Sequence, residues 1–568
     1  MKSNFGPKLR TSIEIDKQKY RQPGETFYEK CTRIADSLKD SDEHFTKFRD
    51  ILLDMRFLPA GRVQAAMGAA KQVTPYNCFV SSTIPDSMEG IMNVAKEAAE
   101  TMRLGGGIGY DFSTIRPRNS NIKRTGSPAS GPVSFMNIYD AVCKTVASAG
   151  NRRGAQMGVL RVDHPDIEEF VRSKQNRTAL TQFNISVAVT DEFMTAVAED
   201  KPFDLRFNGQ VYNTISAKNL WNEIMRSTWD WAEPGILFID KINNRNNLNY
   251  LEVISATNPC AEQPLPPNGA CLLGSFNWVK YLVNHNGEWF FNVEQLTQDI
   301  PHVIRAMDNI VDRAIYPLEV QSKEAKNKRR MGIGVTGVAN ALEMFTGAYG
   351  SPDFNFVLDK LLSGFVNEIY AASAKLAKEK GVFPLYDKAN FQKSYTYTHI
   401  LSRYTRKLID EYGLRNSHLT SIAPTGTISL MADNISSGIE PVFSHSMERT
   451  IQTYEGPIIE KLQDYAVANF DNYGKTAGDC TIDEHLSVLD ISSKYMDSAV
   501  SKTINIGSKV TFEEFKDVYW KAYYSNAKGC TTFRADGKRL GILAVSAPEE
   551  GEGAACFYDP ETGSKTCE

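Results

Sequence analysis

Asn258-Pro259-Cys260-Ala261-Glu262-Gln263-Pro264-Leu265-Pro266-Pro267-Asn268-Gly269-Ala270-Cys271-Leu272-Leu273-Gly274-Ser275 is the stretch whose reading decides both fold and chemistry. It sets an amide, a thiol and a carboxylate at alternate positions. In an extended chain, residues two apart project to the same side, so Asn258, Cys260 and Glu262 can converge on one small molecule. That supplies a hydrogen-bonding amide, a nucleophilic or one-electron sulfur, and a general base. The prolines disfavour helix and stiffen the loop, which suits the positioning of reacting groups. A structural turn around a buried cysteine is the other reading, and spacing alone leaves both open.

The surrounding chain narrows the choice. It has 568 residues, 42% hydrophobic and 23% charged, enough to bury a large core. Sixty-four Lys and Arg against 68 Asp and Glu leave a net charge of −4, so no whole-chain field attracts nucleic acid or an anionic membrane. No run approaches the roughly 18 apolar residues of a membrane span, and the opening residues lack an apolar signal core. A cytoplasmic protein is expected. Nine cysteines, an odd count without any C-x-x-C, argue against a secreted disulfide framework and a zinc finger, and no metal site is expected.

Along the chain, Phe27, Tyr28, Cys31, Ile34, Ala35 and Leu38 recur at helical spacing, as do Phe135, Ile138, Tyr139, Val142, Cys143 and Val146. A helix is expected from Asp86, with Glu89 completing a capping box. Asn-Gly pairs predict hairpins at Leu205–Tyr212 and His285–Phe290. Helices alternating with short apolar runs indicate an α/β architecture. The residues 541–555, GILAVSAPEEGEGAA, read as a flexible linker, and residues 556–568 carry Cys556 and Cys567. Gly332-Ile-Gly-Val-Thr-Gly337 matches a dinucleotide-binding G-x-G-x-x-G, but charged residues precede it where a buried strand should be apolar.

The chain resembles ribonucleotide reductases, above all the adenosylcobalamin-dependent class II ribonucleoside-diphosphate reductases. The residues carrying the resemblance are the opening stretch with Arg56–Arg62, Asn77-Cys78-Phe79, Leu104–Pro117, Gly150–Phe170, Arg329–Gly337, Ala423–Ser429 and Lys528–Gly537, in family order. The resemblance implies a ten-stranded α/β barrel with a central finger loop, occupying residues 76–540, between a helical amino-terminal region, residues 1–75, and the carboxy-terminal linker and tail. Cys260 would become a thiyl radical that takes the ribose 3′-hydrogen. Glu262 would accept the 3′-hydroxyl proton, and Asn258 would bond the substrate. Cys78 and Cys271 would be the reducing thiols, with Cys78 protonating the departing 2′-hydroxyl. The tail pair Cys556 and Cys567 would carry electrons from a thioredoxin-like reductant.

By the same resemblance, Ala423, Pro424, Thr425, Gly426, Thr427, Ile428 and Ser429 hold the substrate phosphates, through backbone N–H groups and the hydroxyls of Thr425, Thr427 and Ser429. Asp86, Ser87 and Arg116 would form the site for a deoxynucleotide or ATP effector. Asn151, Arg152, Arg153 and Gln156 would relay it. A homodimer is expected, and no ATP-binding cone matches. The radical source separates two alternatives. Class I enzymes use a metal-containing partner subunit and an adjacent tyrosine pair, where this chain has Thr531 and Thr532. Tyr523 and Tyr524 lie earlier, in an expected helix. The cofactor implied is therefore 5′-deoxyadenosylcobalamin. A non-catalytic nucleotide-binding regulator and a nicotinamide-dependent oxidoreductase remain as rivals, and neither accounts for the five residues Cys78, Asn258, Cys260, Glu262 and Cys271. No residue separates diphosphate from triphosphate substrates.

Overall fold

Phe183-Asn-Ile-Ser-Val-Ala-Val189 shows how the strands of this chain are built. Ile185, Val187 and Val189 alternate with Asn184, Ser186 and Ala188, so one face is β-branched and the other small or polar. The β-branched face joins a large outer core under the helices, while Ala188 belongs to a second, inner cluster with Cys78, Val159, Leu237, Ala256, Leu265 and Cys271. The inner cluster brings together two of the cysteines singled out above.

The computed structural model describes residues 5–123, 125–146, 155–175, 178–453, 456–534 and 537, with the pairs 557–558 and 565–566. The strands relevant to the site are β1 (Phe57–Pro59), β2 (Cys78–Val80), β3 (Gly107–Asp111), β4 (Gln156–Arg161), β5 (Phe183–Val189), β6 (Gly235–Phe238), β7 (Ala256–Thr257), β8 (Pro264–Leu265), β9 (Ala270–Cys271), β10 (Leu273–Asn277), β11 (Gly332–Thr336), β12 (Thr503–Ile506) and β13 (Gly529–Arg534). The principal helices are α1 (Arg10–Lys19), α2 (Phe27–Leu38), α3 (Asp42–Leu53), α4 (Met88–Arg103), α5 (Pro132–Thr145), α6 (Val293–Arg313), α7 (Pro352–Lys380), α8 (Gly426–Met431), α9 (Ile482–Tyr495) and α10 (Phe512–Tyr524).

An eight-stranded sheet runs β9-β2-β3-β4-β5-β6-β13-β12. Strands β2 to β6 are mutually parallel. β13 enters antiparallel to β6 and parallel to β12. A second sheet of three strands, β1-β10-β11, pairs β10 parallel with β11 and antiparallel with β1. The pairing therefore departs from a single ten-stranded sheet. At Leu272 the chain changes partners: Cys271 lies opposite Cys78, and Leu273 lies opposite Gly332. Residues 419–422 and 498–501 make only single bridges, Ile333 to Thr420 and Ile422 to Val500. The N–H groups of Leu419 and Thr420 turn instead to the buried carboxylate of Asp497, at 2.7 and 3.1 Å, which competes with a regular ladder.

The helical expectations hold at α2, which buries Cys31, Ile34, Ala35 and Leu38, and at α5, which buries Tyr139 and Cys143. Tyr28 stays exposed. Hairpins form at Pro202–Ser216 and Leu282–Phe291. At α4 the cap is Ser87, which accepts from the Gly90 N–H at 3.1 Å, so Asp86 and Glu89 are not its capping box. Asp86 instead holds Arg116. The linker 541–555, the tail cysteines Cys556 and Cys567, and Asn151, Arg152 and Arg153 lie outside the described residues. Among the described residues, no helix is long and apolar enough to cross a membrane.

Candidate active site

β7 and β8 pair antiparallel, Ala256 opposite Leu265 and Thr257 opposite Pro264, and carry residues 258–263 as the loop of a hairpin. The loop is closed from within. Asn258 N–H donates to the Gln263 carbonyl at 3.2 Å, Gln263 N–H to Asn258 Oδ1 at 3.0 Å, and Ala261 N–H to the Asn258 carbonyl at 3.0 Å. Ala261 at the tip takes a left-handed φ of 64°. Here Asn258 and Glu262 are buried, and Cys260 is partly open.

This finger lies against the inner face of several strands. A methyl group at Gly109 of β3 would overlap the Thr257 carbonyl, and one at Gly332 of β11 would overlap the Gln263 amide. Those glycines mark close backbone approach. The glycines of this motif have packing reasons of their own, since Gly332 meets the finger, Gly334 meets the Ser421 carbonyl, and Gly337 ends the strand with a left-handed φ of 72°. On the far side, the Glu262 carbonyl accepts from Ser421 Oγ at 2.9 Å and from Ala499 N–H at 3.0 Å.

The two other cysteines of the expected set meet here. Cys78 opens β2, Cys271 closes β9, and they are direct cross-strand partners, both buried and neither in a disulfide. Antiparallel neighbours have Cα atoms roughly 4.5–5.5 Å apart, inside the span a disulfide needs. The Cys78 sulfur lies 3.2 Å from where a Cβ on Gly107 would sit, and the Pro259 ring lies 3.4 Å from the same point, so this thiol borders the finger tip. Burial holds the Cys271 thiol well above the ordinary range, and Glu262, Cys78 and Cys260 each add to the shift. It is a protonated thiol at neutral pH.

Asn258 accepts through Oδ1, yet its buried Nδ2 has no partner. An unpaired buried donor costs on the order of 1–3 kcal/mol, which a bound oxygen would relieve.

The loop 423–429 reaches the same inner cluster, since Ala423 and Ala261 both pack against it. Thr425 takes a left-handed φ of 55° ahead of α8. Its hydroxyl is within 2.9 Å of Thr336 Oγ1 and accepts from Gly438 N–H at 2.8 Å. Ser429 Oγ donates to the Thr425 carbonyl and lies 3.0 Å from Ser437 Oγ. These two hydroxyls, expected to face a ligand, also hold the loop. Thr427 is partly open, Gly426 is exposed, and the N–H groups of Gly426, Thr427 and Ile428 have no intrahelical acceptors.

The expected effector residues form a separate group. Arg116 Nε donates to Asp86 Oδ2 at 2.8 Å, beside the Ser87 cap. Gln156 does not lie on an open loop. It begins β4, is buried, accepts from Tyr110 OH at 2.8 Å and donates to the Tyr139 carbonyl at 3.2 Å. Thr531 and Thr532 fall on β13, and Tyr523 and Tyr524 end α10, with Thr532 Oγ1 2.9 Å from Tyr519 OH.

Sequence reasoning passed over Thr336, Ser421, Ser437 and Gly438, which anchor the finger and the loop. Thr336 sits inside the G-x-G-x-x-G stretch, whose spacing signalled only that a backbone comes close, and the other three sit in segments with no motif of their own.

Residues 76–533 match the family described as "Ribonucleotide reductase, barrel domain". With three thiols gathered around one finger, the chain belongs to the ribonucleotide reductase family. It is similar to the vitamin B12-dependent ribonucleoside-diphosphate reductase of Thermoplasma acidophilum, 32% identical over 92% of this chain and 69% of that protein. It is also similar to the protein of the same name from Mycobacterium tuberculosis, at 31% over 89% of this chain and 72% of the relative. A vitamin B12-dependent ribonucleotide reductase of Streptomyces clavuligerus is 29% identical over 84% of this chain, which spans 58% of that relative.

Proposed function

We propose that this chain reduces ribonucleotides, diphosphates by the names of its relatives, to 2′-deoxyribonucleotides through a thiyl radical on Cys260. The observation that carries this is the pairing of Cys78 with Cys271 beside a finger that presents Cys260. Cys260, partly open at the tip, takes the 3′-hydrogen atom and later returns it. Glu262 accepts the 3′-hydroxyl proton. Cys78 donates a proton to the 2′-hydroxyl, which leaves as water. Oxidation of the Cys78 and Cys271 thiols to a disulfide supplies the two electrons. The unpaired Asn258 amide bonds a ribose oxygen, and the N–H groups of Gly426, Thr427 and Ile428, with the Thr427 hydroxyl, hold phosphate oxygens.

The reading extends to the whole assembly. The eight strands, with β12 extended back to Val500, and the 332–336 and 419–422 segments act as one ten-stranded ring, because β9 runs into β10 through Leu272 and the single bridges join the remaining edges. Cys556 and Cys567 reduce the spent disulfide at the expense of a thioredoxin-like protein. The Asp86, Ser87 and Arg116 group binds a deoxynucleotide or ATP effector across a homodimer, and the enzyme works in the cytoplasm.

The residues around Cys260 fit adenosylcobalamin as the radical source. Ser186, Gly235, Thr531 and Thr503 form a register row of small side chains on the inner faces of four neighbouring strands, with Thr531 Oγ1 3.7 Å from where a Gly235 Cβ would sit. A tyrosine at Thr531 would fill that space. Adenosylcobalamin, when bound, supplies a carbon-centred radical able to take a thiol hydrogen. That row, one alternate position along β5 from the Asn184 that touches the finger, would hold it. Assay of the purified chain without oxygen, with nucleotide, dithiothreitol and adenosylcobalamin, gives deoxynucleotide on this reading. Activity only after addition of a metal-loaded partner protein would assign the radical to a relay instead, and no product under either condition would refute the reductase reading.

A further inference from the structure

We propose that Asn184 is a positioning residue that clamps the radical-bearing tip, by donating from Nδ2 to the carbonyl of Pro259, the residue immediately before Cys260. The bond measures 3.0 Å and spans 75 residues of sequence. Only the amide nitrogen of Asn184 can donate to a carbonyl, which fixes the orientation of the side chain. Pro259 has no N–H, so its carbonyl is the sole backbone polar group it can use to hold its place.

Seen from Cys260, the two flanks of the tip are tied to different walls. Behind it, the Glu262 carbonyl is held by Ser421 Oγ and Ala499 N–H. Ahead of it, the Pro259 carbonyl is held by Asn184, which stands on β5 opposite Met157 of β4. Asn184 itself is exposed, on the inner face of its strand and one alternate position from Ser186 of the small-residue row. Packing does not require an amide at an exposed position of this kind. Its bond to the tip gives the residue type a reason. A radical transfer depends steeply on where the sulfur sits, and a shift of about 1 Å at a reacting atom can cost a hundredfold in rate. Release of one flank leaves Cys260 in its finger but lets it wander.

The kinetic consequence rests on the reading of Cys260 given above, so the test carries a readout that needs no turnover. In the reduced full-length chain alone, the rate at which iodoacetamide alkylates Cys260 is followed on the Cys260-bearing peptide by mass spectrometry. Asn184→Ala raises that rate by about threefold or more as the tip opens locally. A rate equal to the parent's overturns the clamp. In turnover with adenosylcobalamin and dithiothreitol, Asn184→Ala and Asn184→Asp both lower kcat by about tenfold, with KM for the nucleotide unchanged. Aspartate keeps the shape of asparagine and removes the donor, so it separates the bond from the volume. Unchanged kcat in both variants, or a rise in KM alone, overturns the positioning role. An inactive parent would refute the reductase reading, and the alkylation rates would still decide the clamp.

Discussion

Cys260, Cys78 and Cys271 are chemically the same residue, and their surroundings suit them to the different tasks of the proposed mechanism. Cys260 is partly open at a hairpin tip, while Cys78 and Cys271 are buried cross-strand partners. Burial among Glu262 and the other thiols keeps Cys271 protonated, the form that can yield a hydrogen. Replacing Cys260 by serine should abolish turnover while changing stability by less than about 1.5 kcal/mol, since the hydroxyl differs little in size. Cys271→Ser should still consume the 3′-hydrogen, detectable as tritium release from labelled substrate, without net reduction driven by dithiothreitol. Product accumulation over many turnovers by Cys260→Ser would sink the radical assignment.

The same economy of space governs the elements. β3 and β11 approach the finger so closely that glycine alone fits at Gly109, Gly332 and Gly334, the last of which faces the Ser421 carbonyl. Gly109→Ala should push the finger from its strand, cost on the order of 1–3 kcal/mol by overpacking, and remove activity. Thermal melting and the anaerobic assay measure the two effects, and an active Gly109→Ala chain would mean that the finger can move aside. The loop 423–429 is legible as a motif, yet its working groups were not. Thr425 and Ser429 look like ligand donors in the sequence, and the fold adds contacts of their hydroxyls with Thr336, Gly438 and Ser437. Those partners come from segments remote in sequence.

At the level of the whole molecule, buried groups that stay neutral set the pH range of stability. His485 is buried beside Lys502, whose ammonium lies 3.0 Å from Nδ1, and its pKa falls to about 3 through burial and then that charge. A depressed folded value means that its contribution is complete above the unfolded value near 6.5 and is lost as pH falls toward 3. Cys31 is the opposite case, an acid raised by burial to about 12. The unfolded chain releases that proton from about pH 9, so stability is full below 9 and declines as pH rises through 12. The His485 contribution therefore falls below about pH 6.5 and the Cys31 contribution falls above about 9, each by up to about 1.4 kcal/mol per pH unit, while Lys528, lowered to about 7 by burial, adds stability as pH rises toward 10.5. A Cys31→Ala chain whose denaturant midpoint changes with pH above 9 just as the parent's does would contradict the burial of that thiol.

The sequence by itself determined the family of this protein and the candidate residues of its site. Asn258, Cys260, Glu262 and the ordered motifs around them are local patterns, and alternation in strands such as Phe183–Val189 or helical spacing in α2 follows from neighbours within a few residues. What only the tertiary structure decided is which distant groups meet. Cys78 and Cys271 stand 193 positions apart, and no local rule pairs them; the register of β2 with β9 does. The bond from Asn184 to Pro259, the clash that reserves Gly109 for the finger, and the exclusion of Gln156 from any open loop have the same origin. Each depends on backbone approach between segments far apart in the chain, and a sequence pattern encodes such an approach only through the glycines it leaves behind.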